Sequence, residues 1–458
     1  MEGLNLKTLL VVSSVGLLAT AGDTMMTWVS PMYVKLYSND TNINPLGAPI
    51  SREQDTWIGS IINIGSMVGP FPFGFISGRF GRKIALLSIA VPYFISYVIL
   101  AFARDVNLYY FARLFAGISI GGGYTLLPTY VTEVTEDSTR GLMTSLLNVF
   151  WTFGNLIPYA VGPYLSHLWF NLILAVLPAL FFVMFLIIAP ESPYYLLGKN
   201  REDEALKSLM TLRSGDEKSV STEFDHIKYQ VENEQHGSIT DIIKTPALRK
   251  AITLAMLIVF FQQVSGVKAL MFYLQFIFKA SGGDIPPEIS AIIFGSVLFL
   301  SSIVVPTVAD RFGRKTLLTI SSVGTGFSLA CVGAFFYVLE HNTDVSSISW
   351  LPMLSLISFV IFFNLGHGSI AWTVTAELFP SHIRPVSASI VSSTCWLTGF
   401  IITKTFSDLR DNLGDYGTFW LFSSSCVVSA LFMIIILPET KGKSFKEIQL
   451  LLENKHKK

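Results

Sequence analysis

The stretch FFQQVSGVKALMFYL, residues 260–274, places hydrogen-bonding side chains inside an apolar run. Gln262, Gln263, Ser265 and Lys268 all fall within it. Amide groups both donate and accept hydrogen bonds, whereas an ammonium group only donates and carries a charge. Two adjacent amides suit a ligand rich in hydroxyl groups, although glutamines also link neighbouring helices in membranes. An ammonium facing lipid at the bilayer centre would cost ~2.5–3.5 kcal/mol, so we expect Lys268 to face a cavity, with outward snorkelling as the alternative.

Two further charged residues lie in apolar runs, Asp23 in TAGDTMMTW and Arg113 in ARLFAG. A carboxylate in a membrane span is rare and usually functional. A carboxylate whose proton affinity changes as an arginine approaches or leaves could couple transport to protons. The alternative is that Asp23 and Arg113 form a static ion pair. The cysteines (Cys331, Cys395 and Cys426) show no ligand spacing, so we expect no metal site. No nucleophile–base arrangement points to an enzyme, and we expect no cofactor.

The composition indicates which elements must position these groups. The chain has 458 residues, of which 51% are hydrophobic and only 14% charged, against about 25% charged in soluble domains. This is the composition of a membrane protein. A formal net charge of zero gives no general attraction to nucleic acid. The first apolar run is long and is followed by more, which is unlike a cleavable signal peptide.

A membrane-spanning helix needs about 20 apolar residues. Helices are expected because lipid offers no partners for the open edges of a sheet. The segments that meet this length are 8–30, 57–77, 84–103, 107–130, 142–164, 168–189, 250–275, 288–308, 317–338, 351–377, 385–409 and 416–437.

Basic residues set the expected orientation. If both termini are cytoplasmic, 24 of the 32 lysines and arginines fall on the inside. Five fall outside, Lys35, Arg52, Arg104, Lys279 and Arg410, and three lie within spans, Arg113, Lys268 and Lys404. This asymmetry follows the positive-inside rule. The glycosylation sequence Asn39-Asp40-Thr41 falls in the first outside loop, as expected for a multi-pass plasma-membrane glycoprotein.

The chain repeats itself. Three pairs of motifs occur in the same order: SGRFGRKIALL (77–87) with ADRFGRKTLLT (309–319), TEVTEDSTRG (132–141) with AELFPSHIRP (376–385), and PESPYYLL (190–197) with PETKG (438–442). Such order indicates an internal duplication. We therefore predict an all-α membrane protein with twelve transmembrane helices in two pseudo-symmetric six-helix halves, the major facilitator architecture.

The predicted domains follow from this duplication. They are the first half at 1–189, a cytoplasmic linker at 190–249, the second half at 250–437 and a cytoplasmic tail at 438–458. The linker segments REDEALKSLMTLR and VSTEFDHIKYQVENE have helical periodicity, so we expect short cytoplasmic helices that brace the halves, with a regulatory partner site as the alternative.

The repeated motifs place opposite charges at the cytoplasmic helix ends. Arginine donates two parallel hydrogen bonds to a carboxylate, so we expect a cytoplasmic latch that breaks when the inside opens. Its candidate residues are Arg79, Arg82, Glu133, Arg140, Glu191, Arg311, Arg314, Glu377, Arg384 and Glu439. Simple positive-inside anchoring is the alternative.

The motifs carry a resemblance over essentially the whole chain. RFGRK twice, PESP, PETKG, FFQQVSG and GHGSIAW (366–372) resemble the sugar porter family of the major facilitators. WLTGFIITKTF (396–406) is similar to the eleventh helix of insect facilitated trehalose transporters. The resemblance implies alternating access around a polar site. It implies that Gln262 and Gln263 bind sugar hydroxyls while Trp372 and Trp396 pack against the sugar.

The chain departs from the family pattern at several positions. Lys268, Tyr159, Leu298, Cys395 and Gly399 stand where the family has amides, and Tyr194 replaces an arginine of the latch. We include Lys268 and Tyr159 among the substrate-binding candidates. An added cation and lost amides put glucose in doubt as the substrate.

We therefore expect a transporter of sugars or glycosides that works as a monomer in the lipid bilayer, either proton-coupled or as a facilitative hexose or trehalose uniporter. Lys268 favours an anionic glycoside such as a glucosinolate. The alternative is that Lys268 is neutralised internally, for example by Asp23, and that the substrate is an ordinary sugar. A non-transporting sugar sensor is a further alternative, and the short tail after Pro438 argues against it.

Overall fold

The computed structural model describes residues 5–213, 217–233, 239–283, 285–309, 311–341, 345–380, 383–443 and 445–454. All regular elements among them are helices. The first helices are α1 (Leu6–Thr27), α2 (Val29–Leu36), α3 (Arg52–Val68), α4 (Pro70–Phe80), α5 (Arg82–Phe102), α6 (Val106–Val134), α7 (Arg140–Val161), α8 (His167–Ile188), α9 (Pro193–Gly198), α10 (Glu202–Leu212), α11 (Glu217–Glu232) and α12 (Ile239–Lys244).

The later helices are α13 (Pro246–Val264), α14 (Val267–Ser281), α15 (Pro287–Ala309), α16 (Arg314–Glu340), α17 (Leu351–Phe363), α18 (Ile370–Glu377), α19 (Arg384–Ile435) and α20 (Phe445–Asn454). A 3₁₀ turn, Ser346–Ile348, precedes α17, and a π-helical turn, Asn364–Gly368, joins α17 to α18.

Every predicted span is largely helical, and the spans at 8–30, 57–77, 250–275 and 351–377 each run over two helices. In the part of the chain that the structure describes, nine helical runs are long and apolar enough to cross a membrane. The spans at 107–130 and 142–164 lie on α6 and α7, which fall outside those nine. The last two spans share α19, whose helical backbone is interrupted at Gly414, where φ is 71°. An all-α membrane protein is thereby confirmed.

The chain folds into two compact units. The first contains residues 1–28, 35–49 and 61–235, and the second contains 29–34, 50–60 and 236–458. In the first unit α1 packs on α7 and α8, and α5 packs on α6 and α8. In the second unit α13 and α16 both pack on α19. The segments 29–34 and 50–60 therefore group with residues far along the chain.

Small residues bring two helices of the first unit together. Gly65 on α3 and Gly69, which directly follows α3, face Gly117 and Gly121 on α6, and the glycines of each pair are four residues apart. A Cβ atom at any of the four would overlap backbone atoms of the opposite helix. Membrane helices approach closely through such paired small residues because lipid supplies no hydrophobic force between helices.

The predicted linker contains helices, as its periodicity predicts. Helices α9, α10 and α11 bury a small apolar cluster that includes Leu196, Leu209, Val220 and Ile227. These side chains come from all three short helices, so each helix is stabilised by the burial that the other two provide.

Candidate functional site

The polar stretch around residue 262 lies where one helix ends and another begins. Helix α13 ends at Val264, and Gly266 adopts a left-handed conformation with φ 80° before α14 starts. Glycine reaches this conformation without steric cost. A Cβ atom here would also lie 2.5 Å from the ring of Phe422. The break places both glutamines on the last turn of α13.

The two glutamines are buried and differ in what they bind. Gln262 Nε2 donates to the carbonyl oxygen of His367, and Gln263 Nε2 donates to Cys395 Sγ over 3.1 Å. Gln262 is 5% exposed and Gln263 4% exposed. Among the described residues, Gln263 Oε1 has no hydrogen-bond partner. A buried acceptor without a partner costs roughly 1–3 kcal/mol, so Gln263 Oε1 is suited to accept from a bound hydroxyl group.

The π-helical turn supplies the partner of Gln262. His367 is fully buried in this turn, where its backbone N–H donates to Ser321 Oγ and its Nε2 lies 2.9 Å from Ser322 Oγ. These bonds hold the turn, whose carbonyl then points at Gln262. Single π-helical turns are frequent at functional sites. We did not single out His367 or Cys395 as site residues from the sequence; the polar interruption GHGS in an apolar run was the available signal.

Lys268 lies on the first turn of α14 and points toward α19. Its Nζ is 4.0 Å from the ring centroid of Trp396, which is 4% exposed. Such a distance is typical of a cation–π contact. The ammonium, Trp396, Cys395 and Gln263 thus belong to one polar group inside the second unit.

The other two substrate-binding candidates lie on other helices. Trp372 on α18 is 36% exposed, whereas Tyr159 on α7 of the first unit is fully buried. Leu298, at the position of a family amide, receives a hydrogen bond from Asn364 Nδ2 through its backbone carbonyl. The substrate-binding roles of Trp372 and Tyr159 stay predictions.

The first unit has its own buried polar group around Asp23. Asp23 is 4% exposed and accepts from Tyr124 over 2.7 Å and from Asn155 over 2.6 Å. Arg113 is fully buried, donates to the carbonyl oxygen of Met25 and lies 5.5 Å from the ring centroid of Trp28. Charged groups this deep in a membrane protein are held by such partners.

Residues 50–60 are held by partners inside the second unit. Lys404 Nζ donates to Thr56 Oγ1 over 2.8 Å and lies 4.4 Å from the ring centroid of Trp57. Tyr273 donates to Asp55 Oδ1 over 2.6 Å. The lysine of the eleventh predicted span is therefore engaged by an aromatic ring and a hydroxyl group.

At the N-terminus of α5 in the first unit, one carboxylate caps the helix. Glu191 accepts from the backbone N–H groups of Arg82 and Lys83 at the start of α5, and Arg82 Nε lies 3.1 Å from a Glu133 oxygen. Burial raises the pKa of Glu191 above its usual value, and the backbone N–H donors oppose that rise. A negative charge is favoured at a helix N-terminus.

The second unit repeats this arrangement. Glu439 accepts from the backbone N–H groups of Arg314 and Lys315 at the start of α16, and Arg314 Nε lies 3.5 Å from Glu377. A Cβ atom at Gly81 or at Gly313 would overlap the capping carboxylate of its own unit. The glycine of each RFGRK motif therefore makes room for the glutamate of PES or PET.

The remaining latch candidates have other surroundings. Arg79 and Arg311 are exposed, Arg140 pairs with Asp137 over 2.5 Å, and Arg384 donates to the carbonyl oxygen of Phe379. Their latch roles are untested predictions.

One guanidinium near this end was missed by the sequence reasoning. Arg213, only 9% exposed, donates to the Val134 carbonyl oxygen and to both oxygens of Glu223. Tyr194, which stands in place of a family arginine, donates to Gln230. Arg213 thus satisfies the C-terminal end of α6, where helix carbonyls lack intrahelical partners.

The comparisons with known proteins agree with this architecture. Residues 9–452 match the family described as "Sugar (and other) transporter". The facilitated trehalose transporter Tret1 of Apis mellifera ligustica is 35% identical over 429 residues, which are 92% of this chain and 84% of the relative. Tret1 of Anopheles gambiae is 34% identical over 92% of this chain, which spans only 53% of that longer relative.

Solved structures give the same fold. The partially occluded inward-open xylose transporter XylE from E. coli has a TM-score of 0.78 at 22% identity, covering 94% of this chain and 99% of XylE. XylE bound to 6-bromo-6-deoxy-D-glucose, described as a proton:xylose symporter of the major facilitator superfamily, has a TM-score of 0.75 at 23% identity, covering 96% and 99% of the two chains. The fold is therefore that of the major facilitators, a class of membrane transporters. Within that class, the chain belongs to the family of sugar and other transporters.

Proposed function

We propose that this protein moves a sugar or a glycoside across a membrane by alternating access, and that Gln263 binds a hydroxyl group of the substrate. The buried Oε1 atom of Gln263, which has no partner among the described residues, carries this proposal. Its Nε2 is already committed to Cys395. A sugar hydroxyl group would donate a hydrogen bond to this acceptor. The alternative function is that of a non-transporting sensor, which would bind the sugar without moving it across the membrane.

Uptake into proteoliposomes tests this proposal. Wild-type protein should concentrate or equilibrate a labelled sugar or glycoside faster than empty vesicles. Gln263→Leu should reduce uptake at low substrate concentration by about tenfold, the effect of one lost hydrogen bond to a buried acceptor. Gln230→Leu, at an exposed cytoplasmic position, is the matched control. Binding without uptake would identify a sensor, and neither binding nor uptake of any sugar or glycoside would refute the proposal.

Two substrate classes have specific support. The relatives are facilitated trehalose transporters, which favours trehalose or another neutral sugar. The ammonium of Lys268 beside Trp396 favours a glycoside with an anionic group, for which a glucosinolate is an example. A ring stabilises a cation without neutralising its charge. We propose the anionic glycoside as the second candidate.

A substrate panel separates these candidates. Trehalose, glucose and a glucosinolate should be offered to wild type and to Lys268→Asn. Uptake of the anion that is lost in the variant, with neutral uptake kept or improved, would make Lys268 the partner of the anion. If wild type takes up the neutral sugars only, the anionic candidate is wrong.

We also propose that the protein lies in the plasma membrane with both termini cytoplasmic. If transport is coupled to protons, we propose that Asp23 carries the coupling proton. The support is the deep burial of Asp23 among side-chain donors from Tyr124 and Asn155. Facilitative transport is the alternative, and the relatives are named as facilitated transporters. Uptake that is flat from acidic to neutral external pH and insensitive to an uncoupler would exclude coupling.

A further inference from the structure

The Lys268 side chain occupies space that a glycine leaves open. A Cβ atom built on Gly399 would lie 2.5 Å from Lys268 Nζ, 3.0 Å from its Cδ and 3.1 Å from its Cε. Real Cβ atoms essentially never come within 3.0 Å of another heavy atom, so Nζ in this position is incompatible with a Cβ atom at residue 399. The outer half of the lysine side chain therefore rests against the backbone of α19 at Gly399.

Two positions of α19 together define where the ammonium sits. Trp396 and Gly399 are three residues apart, so they are neighbours on one face of the helix. The Trp396 ring lies 4.0 Å from Nζ, and Gly399 provides the gap beside it. A larger side chain at residue 399 would occupy this space, and the Lys268 side chain would then have to take another position.

The helix that carries Lys268 does not itself favour this position. Lys268 is the second residue of α14, whose N-terminus bears a partial positive charge. The positive end of its own helix disfavours a cation there, and transfer of the ammonium group out of water costs further free energy. The Trp396 ring on the neighbouring helix is one group that stabilises the ammonium there. Its position therefore depends on α19.

We propose that Gly399 and Lys268 form a single determinant of specificity, in which the glycine creates the space that fixes a cation over Trp396 so that the site prefers glycosides carrying an anionic group. This rests on the proposed transport function. Because the atoms in the way belong to the far end of a flexible side chain, a methyl group at 399 would displace the lysine and leave the helices in place. Substitution of the uncharged Gly399 would then change the preference of the site for charged substrates.

The experiment uses two glycosides that differ in one group. 4-Nitrophenyl β-D-glucoside is neutral, and 4-nitrophenyl β-D-glucuronide carries a carboxylate at the same sugar carbon. Uptake of each into proteoliposomes gives a glucuronide-to-glucoside ratio for wild type, Lys268→Asn, Gly399→Ala and the double variant. Gly74→Ala is the matched control, because a Cβ atom at Gly74 would meet no atom within 4 Å.

We expect Lys268→Asn to lower this ratio about tenfold, the effect of one charge-assisted hydrogen bond. Gly399→Ala should lower it by a similar factor, and Gly74→Ala should leave it unchanged. Asparagine ends at its δ atoms and lacks Cε and Nζ, so the atom that lies 2.5 Å from the added methyl group is absent in the double variant. The double variant should therefore equal Lys268→Asn, as coupled residues do.

A ratio unchanged by Gly399→Ala, or a double variant in which the two factors multiply, would overturn the proposal. If Gly399→Ala alone fails to reach the membrane, the double variant should restore its expression, and failure of both variants would also overturn it. Failure of the wild type to take up either glycoside would count against the proposed function instead. In that case the emission of Trp396, isolated by subtracting the Trp396→Phe spectrum, decides: Gly399→Ala should shift it as Lys268→Asn does, and an unshifted spectrum would refute the shared determinant.

Discussion

The matching carboxylate caps at the starts of α5 and α16 should respond differently to the same substitution. Gly81→Ala and Gly313→Ala each place a methyl group where the capping carboxylate, Glu191 or Glu439, now lies. Each variant should lose its helix cap, which costs roughly 0.5–2 kcal/mol. The two glycines differ in backbone conformation, so the costs should not be equal.

The backbone supplies the difference between the two variants. Gly81 has φ 108° and ψ 164°, a region that is almost exclusive to glycine, whereas Gly313 has φ −70° and ψ 147°. Forcing an alanine into the first conformation costs a further 1–3 kcal/mol, roughly. Gly81→Ala should therefore destabilise the protein by roughly 2–5 kcal/mol and Gly313→Ala by only its lost cap.

The assay is the unfolding of purified protein in detergent, with each glycine variant also made in a background that lacks its glutamate. With Glu439→Ala in place, Gly313→Ala should cost almost nothing, because the cap is already lost. With Glu191→Ala in place, Gly81→Ala should still cost its backbone strain. Equal costs for the two glycine variants in the wild-type background, or full additivity of each glycine with its glutamate, would refute the reasoning.

Three further predictions follow from the same structure. Arg82→Ala removes the partner of Glu133 and should slow transport while leaving expression and external ligand binding nearly intact; wild-type turnover would contradict this. If transport is proton-coupled, Asp23→Asn should abolish the dependence of uptake on external pH, which a pH series would measure. Because burial raises the folded-state pKa of Glu191, its proton stabilises the folded protein at low pH, and this contribution is lost as pH rises through that pKa. The unfolding temperature of wild type should therefore fall relative to Glu191→Gln between acidic and neutral pH, and a constant difference would show the carboxylate to be unshifted.

Much of the architecture could be predicted because a bilayer leaves few choices. Lipid requires long apolar helices, so the apolar composition of each segment predicts where the helices lie. The duplicated motifs also placed Arg82, Arg314, Glu133 and Glu377 among the residues expected to pair. In the structure Arg82 Nε lies 3.1 Å from Glu133 and Arg314 Nε lies 3.5 Å from Glu377. Their role as a latch still requires a functional test.

The candidate site was less predictable, because its partners come from distant parts of the chain. The resemblance pointed to Gln262, Gln263 and Trp396. It did not predict that Gln262 would donate to a backbone carbonyl 105 residues away. The π-helical turn that presents this carbonyl is held by a hydrogen bond from the His367 backbone N–H to Ser321 Oγ and by the contact of His367 Nε2 with Ser322 Oγ, both on another helix.

The sequence by itself determined that this is a duplicated helical membrane protein of a sugar transporter family, with amides and a lysine inside one span. The tertiary structure alone decided what those groups contact. Whether a buried lysine meets a carboxylate, a ring or an open gap depends on which helix packs beside it, and helix periodicity carries no information about the neighbour. The packing of α14 against α19 places Lys268 over Trp396 and beside Gly399.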